Sequence, residues 1–92
     1  MKVKVKAFAT LRGVLGKERE VELKEGALLK ELLSPSYLPS EGVEAIIDSK
    51  TGEIKPNILI LKNGRNIRFL DGLLTKLEDG DELIIFPPSG GG

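Results

Sequence analysis

Glu82-Leu83-Ile84-Ile85-Phe86-Pro87-Pro88-Ser89-Gly90-Gly91-Gly92 closes the chain, and its two halves obey opposite rules. The first half is an apolar strand. Pro87 and Pro88 lack the N–H that a sheet ladder needs, so they stop the strand and stiffen its exit. Three glycines follow, with no Cβ to obstruct a partner closing around them. The six residues from Pro87 to Gly92, extended at about 3.3–3.6 Å each, reach roughly 20 Å. That is far enough to thread a terminal carboxylate into another protein's active site. Glycine-rich ends also serve as plain linkers, so the residues upstream must decide.

Immediately upstream, Glu78-Asp79-Gly80-Asp81 reads as a turn that feeds the last strand. The run Ile58-Leu59-Ile60-Leu61 within 57–62 predicts a strand covered on both faces. Asn63-Gly64 is a hairpin signal, because both turn positions tolerate positive φ, and 66–70 is expected to return as a short strand. Asp71-Gly72 turns again, and Leu73, Leu74 and Leu77 stand at near-helical spacing.

At the other end, Lys2, Lys4 and Lys6 alternate with Val3, Val5 and Ala7, the period-2 pattern of a half-buried strand. Glu18, Glu20 and Glu22 alternate likewise with Arg19, Val21 and Leu23. If these strands pair antiparallel, a lysine row meets a glutamate row on the wet side, a solvated face with matched charges. Leu11, Val14 and Leu15 in the connection fall at i, i+3 and i+4, which predicts a helical turn or two.

The segment 27–33 reads as the main helix, with Leu28, Leu29, Leu32 and Leu33 on one face and Pro35 as its stop, though no Ser or Thr caps it. A second short helix is expected over 41–48, inside a stretch loosened by Pro35, Pro39, Gly42, Gly52 and Pro56. The order β-β-α-(α)-β-β-β, with one main helix across one face of a mixed sheet of about five strands, is the α+β class of β-grasp, or ubiquitin-like, architecture. Residues 1–86 form this domain, and 87–92 a flexible tail.

Composition removes most catalytic roles. The 92 residues contain no Cys and no His. Disulfides, thiolate or imidazole metal ligands, a cysteine nucleophile and histidine-based proton transfer are thereby excluded. No metal site is expected, and any sulfur chemistry must take its sulfur from outside. Fourteen basic residues balance fourteen acidic ones, and the four aromatics Phe8, Tyr37, Phe69 and Phe86 are scattered, so direct nucleic-acid binding is not expected. No apolar run matches a membrane span, and the alternating start does not read as a signal peptide, so the cytoplasm is the expected compartment.

Four motifs occur in register: Phe8-Ala9-Thr10-Leu11-Arg12, the Asn63-Gly64 hairpin, Leu77-Glu78-Asp79-Gly80-Asp81-Glu82-Leu83, and Pro87-Pro88 two positions before a diglycine. Together they resemble the ubiquitin-like sulfur carriers typified by the small subunit of molybdopterin synthase, also called molybdopterin-converting factor subunit 1. Each motif alone is weak; all four in order, across nearly the whole chain, are specific. Gly91-Gly92 fall on the reactive pair, Gly90 is spacer, and Ser89 stands where valine is common.

The resemblance implies a carrier or cosubstrate rather than a self-sufficient enzyme. An E1-like partner would adenylate the Gly92 carboxyl with Mg-ATP, the chain itself binding no cofactor. A sulfur donor, or sulfurtransferase, would then displace AMP to leave a thiocarboxylate. The molybdopterin synthase large subunit would use that sulfur in molybdenum-cofactor biosynthesis. The resemblance also implies partner contacts at Phe8, Phe86 and Arg12, with Ile67 a weaker candidate; either phenylalanine could equally be core. The same activated carboxyl would serve a ubiquitin-like modifier joined to target lysines, or tRNA thiolation. An interaction domain with an inert tail is the remaining alternative.

Overall fold

The protein's computed structural model describes residues 1–88, so Gly91, Gly92 and the expected flexibility of the tail lie outside the described residues. Five strands form one sheet: β1 (Lys2–Ala7), β2 (Glu18–Glu22), β3 (Leu59–Lys62), β4 (Arg65–Asn66) and β5 (Glu82–Phe86), in the order β2-β1-β5-β3-β4. The first and last strands lie side by side and parallel at the centre, and the other pairs are antiparallel. This is the β-grasp arrangement.

Strand alternation sets what is inside. Val3, Val5 and Ala7 of β1, Val21 of β2, Ile60 of β3, and Leu83 and Ile85 of β5 all point to one face and are buried. Three short helices cover that face: α1 (Arg12–Leu15), α2 (Leu29–Leu32) and α3 (Ser40–Ile46). They contribute Leu15, Leu29, Leu32 and Ile46 to the same core. The helical layer is thus split rather than supplied by one main helix. The expected 27–33 helix is a single turn because Leu28 is extended, at φ −99° and ψ 160°. Glu31 compensates for the missing Ser or Thr cap, its carboxylate accepting the Leu28 N–H at 2.8 Å. Pro39 then stands at the N-cap of α3. Gly42 lets α3 approach α1 closely, because a Cβ there would overlap the Leu15 side chain.

Two turns lock β5 into place. Asn63 and Gly64 both have positive φ, 49° and 85°, as the β3–β4 hairpin requires. Asp81 is buried, at 6% exposure, and its carboxylate accepts the Asn63 side-chain amide and the Glu78 N–H, both at 2.8 Å. Lys62 Nζ lies 3.5 Å from the same carboxylate. Asp79 accepts the Lys2 N–H at 2.7 Å, and the Gly80 N–H donates to the Lys2 carbonyl at 2.8 Å. The Asp-Gly-Asp motif is therefore a buckle joining the hairpin, β1 and the start of β5.

The strand expected over 66–70 ends at Asn66. The Asn66 side chain accepts the Arg68 N–H at 2.9 Å and turns the chain into a 3₁₀ turn, Ile67–Phe69. A second such turn spans Gly72–Leu74. No helix among the described residues is long and apolar enough to cross a membrane.

Candidate functional site

The helices cover only one face of the sheet, and the opposite face is divided in two. On β1 and β2 it carries the expected charge ladder. Register places Lys2, Lys4 and Lys6 opposite Glu22, Glu20 and Glu18. The ion pairs form along the diagonals Lys2–Glu20 and Lys4–Glu18, at 3.9 and 3.8 Å. Lys6 bridges to Glu18 at 3.9 Å and to Glu82 of β5 at 3.1 Å.

Beyond Glu82 on β5, and on β3, the same face is apolar. Lys6, Ile84 and Leu61 align across three strands, and one step along Phe86 aligns with Leu59. Phe8, just past β1, donates its N–H to the Ile85 carbonyl at 3.2 Å and so stands beside Phe86. Phe8, Phe86, Leu59, Leu61 and Ile84 are all half-buried. None belongs to the core or to the half-buried hydrophobics packed on it.

The two phenylalanine rings are stacked, with centroids 4.8 Å apart and planes 12° from parallel. Arg12 closes the stack, its guanidinium carbon 5.0 Å from the Phe8 ring centroid. Three local devices hold it there. Ala9 adopts φ 50°, a left-handed conformation unusual for a residue with a side chain, and reverses the chain after Phe8. The Leu11 N–H donates to the Phe8 carbonyl at 3.1 Å. Arg12 Nε donates to the Ala7 carbonyl at 3.0 Å, and Arg12 forms no ion pair among the described residues. The Phe-Ala-x-x-Arg motif is thus one turn that stacks a cation on an aromatic pair. Phe86 is followed directly by Pro87 and Pro88, so the pair stands at the root of the tail.

The structure brings Phe8, Arg12 and Phe86 together and removes Ile67 from them. Ile67 is 1% exposed and sits in the core, because the 3₁₀ turn that replaces the expected strand rotates it inward. A core side chain has no surface for a partner, so Ile67 is withdrawn as a contact. Leu59, Leu61 and Ile84 are instead the half-buried apolar side chains on the face of the stack. Their signal was the run 58–61, read as covered on both faces; only Ile58 and Ile60 are covered.

Comparison with known proteins gives this geometry a relationship. The model of the ThiS family matches residues 5–92. The chain belongs to the ThiS family, the ubiquitin-like sulfur carriers and modifiers. Small archaeal modifier protein 3 of Haloferax volcanii is 34% identical over 93 residues, covering all of both chains. Among solved structures, SAMP1 of Haloferax volcanii superposes with a TM-score of 0.82 at 28% identity, covering all of both chains. A Pyrococcus furiosus protein described as a candidate molybdopterin converting factor, subunit 1, superposes with a TM-score of 0.72 at 31% identity. That match covers 96% of this chain and 98% of the other.

Proposed function

We propose that this ThiS-family chain is the small, sulfur-carrying subunit of a molybdopterin synthase, working through the carboxyl of Gly92. The observation that carries the reading is the Arg12–Phe8–Phe86 stack at the root of the diglycine tail, on an apolar half-face that no helix covers among the described residues. A docked enzyme would bury that half-face and receive the tail in the same event.

The Gly92 carboxylate attacks the α-phosphate of ATP on an E1-like partner, pyrophosphate leaves, and an acyl-adenylate forms. A persulfide on a donor protein adds through its outer sulfur to the acyl carbon and AMP departs; a thiol then attacks the donor-side sulfur of the resulting acyl disulfide, releasing the thiocarboxylate and leaving a disulfide. The carboxylate is a poor electrophile until its oxygen becomes part of a good leaving group, and the partner supplies that change. Glycine at the last two positions leaves the acyl carbon open to attack. The synthase large subunit then holds the acceptor: the thiocarboxylate sulfur bonds to an acceptor carbon as a leaving group departs, and water cleaves the acyl–sulfur bond, leaving the sulfur on the acceptor and Gly92 a carboxylate again.

Incubation with the E1-like enzyme, Mg-ATP and a sulfur donor tests the carrier step by intact mass. The expected gain is the exchange of one oxygen for sulfur, confined to the C-terminal peptide. An unmodified Gly92 under conditions that label a known carrier would defeat the reading. Joining the charged chain to the large subunit and the molybdopterin precursor tests the acceptor; thiocarboxylate consumed without dithiolene product would reject this assignment.

Full-length similarity to small archaeal modifier protein 3 favours a second reading, in which Gly92 is joined to lysines of other proteins. Branched Gly-Gly remnants on target lysines, absent when the gene is deleted, are its signature. A thiocarboxylate used in tRNA thiolation would appear instead as loss of thiolated nucleosides in the deletion strain.

A further inference from the structure

The most exposed large hydrophobic side chains are not on the open sheet face. Phe69 is 87% exposed and Leu74 62%. Phe69 stands on the same 3₁₀ turn as Ile67, and turning Ile67 into the core leaves Phe69 facing water. Leu74 ends the following turn. A groove runs beside these turns, lined by Ile54, Leu74 and Arg68 with the carboxylates of Glu53 and Asp71, and continues past Thr51 towards Asp48.

Charge says what could cover it. Three carboxylates line the groove against one cation, and Arg68 Nη2 is already taken by the Lys55 carbonyl at 3.1 Å. Lys50 and Lys55 belong to the adjoining hollow beyond Asp48, together with Glu44. Neither Glu53 nor Asp71 forms an ion pair among the described residues. Exposed apolar side chains beside a groove of net negative charge match an amphipathic segment that carries lysine or arginine next to its apolar residues.

We propose that this groove, with Phe69 and Leu74, is a second docking surface, for a basic amphipathic segment of a partner protein. It shares no residue with the Phe8–Phe86 half-face, so a partner held here leaves that face and the tail free for the enzyme that reacts with Gly92. The carrier could then be retained by one protein while it is charged or discharged by another.

Titration of the isotope-labelled full chain with a synthetic amphipathic leucine–lysine peptide, followed by amide chemical shifts, tests this. Shifts are expected at 53–54 and 68–74, weakening as salt is added. Phe69→Ser and Leu74→Ser should each weaken binding roughly tenfold, and Asp71→Lys should weaken it as well. All three positions are exposed, so retained spectral dispersion will show that the variants stay folded. Equal binding of a leucine–glutamate peptide, shifts confined to the Phe8–Phe86 face, or no shifts at all would overturn the proposal. So would concentration-dependent self-association that Phe69→Ser abolishes, which would assign the surface to a second copy of the chain.

Discussion

The two halves of the open sheet face share one surface and one solvent, yet they are built differently. On β1 and β2 the outward charges pair within the fold, through Lys2–Glu20, Lys4–Glu18 and Lys6 between Glu18 and Glu82, and only Glu22 at the end of the ladder lacks an ion pair among the described residues. Beyond Glu82 on β5, and on β3, the outward side chains are apolar, and among the described residues the Phe8–Phe86 stack under Arg12 joins two of them. A half-face whose charges are nearly all matched within the fold has little to gain from a partner. One that leaves five hydrophobics half in water gains from any protein that covers them. The tail leaves from the second half.

The largest expected effect belongs to the tail. Deleting Gly91 and Gly92 should abolish adenylation and thiocarboxylate formation, because the new terminal carboxylate, on Gly90, falls two residues or about 7 Å short. The melting temperature should not change, since the sheet ends at Phe86. A clear fall in melting temperature on the deletion would mean that the tail packs on the domain, and the apolar half-face would be its obvious seat.

Phe8→Ala and Phe86→Ala come next. Each should weaken binding to the activating enzyme by about 2 kcal/mol, roughly thirtyfold, as aromatic anchors at interface centres do. Loss of the stack should lower the chain's own stability by only about 1 kcal/mol. Calorimetric titration and urea denaturation read the two separately. A large stability loss with unchanged affinity would make the phenylalanines core residues and erase the distinction between the halves.

Asp81→Ala tests the buckle that aligns β5 between the two halves. It strips the Asn63 amide and the Glu78 N–H of their shared acceptor and leaves Lys62, whose side chain is only 16% exposed, without its carboxylate. A buried charged network broken on one side should cost about 3 kcal/mol in urea denaturation. Asp81→Asn should recover part of that loss, because one oxygen can still accept.

The sheet was legible because its signals are local. Alternation over 2–8 and 18–24, Asn63-Gly64 and Asp79-Gly80-Asp81 each dictate backbone geometry within a few residues. What stayed hidden depends on neighbours distant in sequence. Nothing in Ile58-Leu59-Ile60-Leu61 reveals that only one of its faces meets a helix, so the apolar half-face was invisible as a run of four hydrophobics. Ile67 and Phe69 could not be sorted either, since Asn66 capping the Arg68 N–H replaces strand alternation by a 3₁₀ turn. Phe8, Arg12 and Phe86 were recognised by motif, yet their stacking rests on a parallel β1–β5 pairing between the two ends of the chain.

The smallest effect expected is on the charged half. Lys4 and Glu18 are each nearly half exposed, and their 3.8 Å contact pays side-chain entropy for a Coulomb gain that water largely screens. A double-mutant cycle, Lys4→Ala with Glu18→Ala, should return a coupling of about 0.5 kcal/mol or less, falling further at 1 M salt. Removing Glu18 alone also takes one of the two carboxylates from Lys6, so the Glu18 single variant should lose slightly more than the Lys4 one. Affinity for the activating enzyme should hold in both. If Lys4→Ala weakened that affinity as much as Phe86→Ala, the ladder would be part of the docking surface, and the open face would act as one surface rather than two.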